Sequence, residues 1–99
     1  MIHFPPGRPT HCCIDHAALC WNLQQIRAEV GPRVKILSIV KANVYGHGAV
    51  AVAKTLLAAG GDALGVAMLD EGIELRQSGI GAPILVVAGV YGDQLEQFF

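Results

Sequence analysis

The chain predicts an α/β fold built on a parallel sheet, and three observations lead there. Short β-branched apolar runs recur at "VKILSIVK" (34–41), "ALGVAM" (63–68) and "PILVVAGV" (83–90). The first two are followed by helix-like segments that close on glycine, at Gly60–Gly61 and at Gly79. Each strand–helix unit takes about 20–30 residues, the length a right-handed crossover between parallel strands needs.

The elements follow in order. Residues 1–9 carry three prolines and a glycine and read as an irregular lead-in. "THCCI" (10–14) reads as a short extended segment, and Asp15 is a good N-cap. In "DHAALCWNLQQIRAEV", Leu19, Leu23, Ile26 and Val30 form one apolar stripe of a helix that Gly31–Pro32 ends. The first buried strand comes next, then a helix over roughly 49–59 capped by Gly60–Gly61, then the second strand. Asp70 and Glu71 open the following helix, where negative charge suits the positive end of the helix dipole. Gly72 inside that helix costs about 1 kcal/mol relative to alanine. After the third strand, "GDQLEQFF" reads as the start of another helix. A sheet with an unfinished last unit reads as a piece of a larger α/β domain.

Composition agrees. Of the 99 residues 53% are hydrophobic and only 15% charged, against about 25% charged in an ordinary soluble domain. Such a chain either buries its sheet on both sides or belongs to something larger. Seven Lys and Arg are scattered and the formal charge is −1, which argues against nucleic acid as a partner. "MIHFPPGRPT" lacks the apolar core of a signal peptide. The most apolar region is interrupted by Lys54, Gly60–Gly61 and Asp62, so no membrane span is expected. Three cysteines, two of them adjacent at Cys12 and Cys13, are a poor disulfide framework and fit a reducing cytoplasm. His11, Cys12, Cys13, His16 and Cys20 give no tetrahedral set of usual spacing, so no metal site is expected, and the cysteines read as buried and inert.

Two features can carry chemistry. Lys41 stands at the C-terminal end of its strand, the edge where parallel α/β folds place their sites. Alternation puts it on one face with Ile39 and Leu37. A desolvated lysine amine attacks carbonyls and forms Schiff bases, whereas a lysine just past a strand is often simply solvated. "GHGAVA" (46–51) with Asp70 further on matches the G-x-G-x-x-A pattern of a dinucleotide-binding turn. Here residues 42–45 intervene between strand and glycines, and such a turn begins directly after its strand. The glycines can equally serve only to permit a positive φ before a helix.

"VKANVYGHGAVAVAKTL" resembles the signature of alanine racemases, pyridoxal-phosphate enzymes on a barrel of their own type. "RPTHCCIDHAALCWNLQQIR" resembles the family's opening segment, and "GVAMLDEGIELRQSGIGAPILVVAG" its next two barrel units. The resemblance implies an incomplete (β/α) barrel, with residues 1–99 the N-terminal part of a (β/α)8 domain and residues 1–14 a lead-in outside the barrel. A complete barrel of this kind takes about 250 residues. The resemblance also implies that Lys41 anchors pyridoxal 5'-phosphate as an internal aldimine and moves the α-proton on one face of an amino-acid substrate. Tyr45 would bind the cofactor phosphate, and Ile39 and Val87 would line the cofactor. Asn43 and His47 receive no role. The implied whole is a cytoplasmic homodimer that interconverts L- and D-alanine for cell-wall synthesis. Its second base, main phosphate loop and pyridine-facing arginine would come from elsewhere, so the 99-residue segment alone is expected to be inactive. A non-catalytic pyridoxal-phosphate carrier of similar barrel type and a dinucleotide-binding module are the alternatives.

Overall fold

The computed structural model describes residues 13–46 and 48–88, the side chain of Tyr45 excepted. Helix α1 (His16–Val30) precedes β1 (Leu37–Ile39), α2 (Lys41–Gly46) and α3 (Ala49–Ala58). Then come β2 (Ala63–Val66), α4 (Leu69–Gln77) and β3 (Ile84–Val86). The strands form one parallel sheet in the order β1-β2-β3, with Ile39 opposite Gly65 and Gly65 opposite Leu85. This is a partial α/β barrel wall, as the sequence predicts. Residues 1–12 of the expected lead-in (1–14) and the helix expected after the third strand lie outside the described residues.

Local chemistry sets the boundaries. Asp15 caps α1 by accepting the Ala18 N–H at 3.0 Å. Both βα helices end in Schellman motifs. After α3, Gly60 (φ 108) donates to the Leu57 carbonyl and Gly61 to the Leu56 carbonyl. After α4, Gly79 (φ 88) donates to Arg76 and Ile80 to Leu75, and Leu75 and Ile80 supply the apolar contact that accompanies the motif. Arg27 ties three segments together. Its guanidinium donates to the carbonyls of Gly31, Val34 and Gly60 and pairs with Asp62 at 2.7 Å. The Ile36 N–H, and after it Arg27, holds the Asp62 carboxyl below its ordinary value.

The core lies on one side of the sheet. Val40, Leu64 and Val66 are buried with Val52 and Ala53 of α3, Leu75 of α4, and Ile80. The opposite face is bare. Leu37, Ile39, Leu85 and Val87 are 41–62% exposed on it. Of the two ways to explain the apolar composition, helices on both faces is therefore not what this chain forms among its described residues.

Helix α1 runs beside α3, with His16 Nδ1 2.5 Å from the Thr55 hydroxyl and Leu23 buried near Gly61. The expected apolar stripe is only half used. Leu19 and Leu23 pack inward, while Ile26 and Val30 are exposed, because at this end of α1 it is Arg27 that reaches the neighbouring loops. The cysteine expectation is corrected too. Cys13 is exposed, lying before the N-cap, and Cys20 is half-buried; Cys12 lies outside the described residues.

Gly72 is buried in α4, and a Cβ there would sit 3.5 Å from Ile84 Cγ2 and 3.7 Å from Val66 Cγ2, ordinary packing distances. The methyl fits and the helix gains propensity. Gly72→Ala is therefore expected to stabilise the fold by about 1 kcal/mol, read as a higher urea midpoint at unchanged slope.

Candidate active site

The site is built where β1 runs out. Val40 is fully buried and donates its N–H to the Gly65 carbonyl at 2.8 Å, so the chain is still clamped to the sheet one residue before Lys41. Lys41 opens α2 half-buried. The three residues after it do something the sequence does not announce. Ala42, Asn43 and Val44 have φ of 51, 54 and 53°, all left-handed. For non-glycine residues this costs roughly 1–2 kcal/mol each, and for β-branched Val44 it is a genuine outlier. A run of this kind persists only where its surroundings over-determine it.

Two side chains do so. Asn43 accepts the Ala49 N–H on Oδ1 at 2.7 Å, while its own carbonyl accepts the Gly48 N–H at 3.0 Å. The side chain thus serves the first turn of α3, where Gly48 (φ 88) can offer nothing. Glu71, at the start of α4, serves two segments at once. Its Oε1 accepts the N–H groups of Ala67 (3.0 Å) and Met68 (2.8 Å), and Oε2 accepts that of Ala42. The Asn43 N–H also bonds this carboxylate. Burial pushes the Glu71 carboxyl up, but these four donors outweigh it and leave it below the ordinary value near 4.5.

Because the folded value lies below the unfolded one, the Glu71 contribution to stability is complete above about pH 4.5 and is lost as pH falls through the folded value. Asp62 acts in the same direction. The expected result is a fall in unfolding free energy confined to acid pH, with a shallower slope in Glu71→Gln, read from urea titrations at several pH values.

Beside Lys41 the bare sheet face forms an apolar shelf. Ile39, 48% exposed, lies in register with Gly65 and Leu85, and Val87 stands one step further along the same face of the third strand. Val87 is held there by its N–H to the Val66 carbonyl at 2.8 Å. A Cβ on Gly65 would fall 2.5 Å from Ile39 Cδ1 and 2.9 Å from Leu37 Cδ2, so these side chains lie across the glycine and keep the shelf flat. Ile39 and Val87 thus share one face, and Lys41 follows two residues after β1 at its C-terminal edge. Exposed as they are, Ile39 and Val87 are not core residues of this chain. Tyr45 lies in α2, but its side chain is outside the described residues, as is His47.

The dinucleotide pattern fails geometrically. A left-handed turn separates β1 from the glycines, so the tight strand–turn–helix that brings a backbone to a pyrophosphate is not formed. Among the described residues no three His, Cys, Asp or Glu gather as metal ligands. No described helix is long and apolar enough to cross a membrane. Glu71 and Asn43 are the residues that sequence reasoning misses. In the sequence Glu71 is legible only as a helix-start acid, and its partner Ala42 lies 29 residues away.

Residues 14–99 match the family model described as alanine racemase, N-terminal domain. The alanine racemase of Synechocystis sp. is 56% identical over 77 residues, 78% of this chain and 21% of the relative. That of Halothermothrix orenii is 47% identical over 92 residues, 93% of this chain and 24% of the relative. Among solved structures, alanine racemase from E. faecalis superposes with a TM-score of 0.76 at 40% identity, covering 85% of this chain and 23% of that one. The Bacillus anthracis enzyme with bound L-Ala-P gives 0.75 at 44%, covering 78% and 20%. The chain thus spans less than a quarter of the length of these relatives, and it belongs to the alanine racemase family, whose N-terminal domain it matches.

Proposed function

We propose that this chain contributes the lysine-bearing edge of a pyridoxal-phosphate-dependent alanine racemase, with Lys41 as cofactor anchor and one of two proton-transfer bases. The observation that carries the reading is the strained left-handed turn directly after Lys41, at the C-terminal end of β1 and beside a flat apolar shelf. Strain at one lysine, held by a half-buried carboxylate from another unit, has a purpose if that amine must be aimed.

The residues present fit the cofactor. An amine suits its aldehyde, and the shelf of Ile39, Gly65 and Val87 suits an aromatic ring. When bound, the cofactor supplies an electron sink for charge developing at the substrate α-carbon. Lys41 then holds and moves the α-proton at Nζ on one face. Ile39 and Val87 exclude water from that face, and Tyr45 is assigned to the phosphate. An acid or base on the opposite face is required for racemisation, and no described residue is placed for it. Its source in the proposed assembly is a second subunit, which makes the working form a homodimer, and its setting the cytoplasm. L-Ala-P on the Bacillus anthracis neighbour favours alanine as the substrate. No observation favours a non-catalytic carrier over this reading.

The test grafts residues 14–88 into the Synechocystis alanine racemase in place of the segment they match. The purified graft is expected to take up pyridoxal phosphate and to interconvert L- and D-alanine. After borohydride reduction, peptide mapping should find the cofactor on Lys41. Label on Lys35 or Lys54 instead would remove Lys41 from its role, and a cofactor-loaded graft that does not racemise alanine would favour the carrier.

A further inference from the structure

We infer that Glu71 is a positioning residue for Lys41: its carboxylate holds the left-handed turn that fixes the lysine at the edge of the sheet. The inference rests on the racemase reading of Lys41 and deepens it. Lys41 is joined on one side to Val40, which the sheet clamps, and on the other to Ala42, whose N–H is bonded to Glu71 Oε2. The Asn43 N–H bonds the same carboxylate. Ala42 and Val44, on either side of the more tolerant Asn43, have no intrinsic reason to stay at positive φ, since alanine and valine both disfavour it. An external acceptor that collects successive N–H groups supplies the reason.

The other oxygen of Glu71 is committed to Ala67 and Met68, just past the end of β2. One carboxylate therefore couples the ends of two neighbouring strands, and the backbone next to Lys41 is referenced to the next unit of the wall rather than to its own loop. Both oxygens are needed as acceptors, and this is what a carboxylate offers and an amide cannot. In Glu71→Gln one oxygen remains. Ala67 and Met68 lie close along the chain and reform their bonds at little entropic cost, so the amide NH2 turns toward Ala42 and Asn43 and sets donors against donors.

The experiment uses the same graft with Glu71→Gln, Glu71→Ala and, as control, Asp70→Asn, an exposed acid one residue earlier on the same helix. Hydrogen exchange is followed at the amides of Ala42 and Asn43, and at Leu64 and Val66 in the core. Cofactor affinity is read by titrating the cofactor-free grafts with pyridoxal phosphate. Both Glu71 variants are expected to lose roughly tenfold or more of protection at Ala42 and Asn43, with Leu64 and Val66 unchanged, and to bind the cofactor roughly tenfold more weakly. Asp70→Asn should alter neither. Unchanged protection at the turn overturns the inference. Equal loss at turn and core overturns it too, because that would make Glu71 a general stabiliser. Protection lost at the turn with cofactor affinity intact would separate the turn from Lys41 and also overturn it. If the unsubstituted graft takes up no cofactor, the racemase reading fails, while the exchange data still judge the hold on the turn.

Discussion

Lys41→Ala in the grafted enzyme is expected to abolish covalent cofactor retention and to lower the racemisation rate by at least roughly 10²–10⁴-fold, the range lost when one positioned proton-transfer group is removed. Two further substitutions make the result specific. Lys41→Arg keeps positive charge and length, but a guanidinium does not deprotonate in proteins, so it can neither anchor an aldehyde nor accept a proton. It should be as inactive as the alanine variant. Lys54→Ala removes an exposed lysine from the outer surface of α3 and should leave rate and cofactor uptake unchanged. Activity in Lys41→Arg near that of the unsubstituted graft would show that the position needs only charge. The racemase assignment would then lose its centre.

The parts of the fold that are legible in sequence are those set by local chemistry. The apolar runs over 34–41, 63–68 and 83–90 bracket the observed strands, which are shorter because a strand extends only as far as its hydrogen-bonded neighbour does, and strand ends fray. Asp15 as N-cap, and Gly60 and Gly79 after the helices, follow from the orphan N–H and C=O groups that any helix leaves. The left-handed run is not legible. Positive φ is expected at glycine, and Gly48 (φ 88) adopts it before α3, but it also falls on Ala42, Asn43 and Val44 ahead of the glycines. Only Asn43 tolerates that conformation, and the carboxylate that holds Ala42 arrives from α4. Periodicity likewise cannot tell that Ile26 and Val30 stay exposed, since it reports which residues share a face and not what lies opposite. The site residues are reached by family resemblance. The geometry adds Glu71, which bonds the backbone next to Lys41 through a contact between distant parts of the chain.

Leu64 and Leu85 should part company when each is truncated, and the contrast tests what the bare face is for. Leu64 sits on the central strand, fully buried among Val40, Val52, Val66 and Leu75. Leu64→Ala removes that packing and leaves a cavity, so it is expected to cost about 2–5 kcal/mol of unfolding free energy, in this chain or in the graft. Small domains hold only about 5–15 kcal/mol, so the isolated chain would lose much of its stability. Leu85 is on the opposite face of β3 and 54% exposed. In the isolated chain Leu85→Ala gives up little burial and should cost about 0.5 kcal/mol or less, as surface changes do. In the graft the same face is expected to turn toward the barrel interior, which in such folds is a packed core rather than a pore. There Leu85→Ala should approach the cost of Leu64→Ala. Urea midpoints of both variants in both settings decide the matter. Equal effects of Leu85→Ala in chain and graft would mean that this face, with Ile39 and Val87 on it, is never enclosed, and a shelf that stays wet could not shield the chemistry assigned to Lys41.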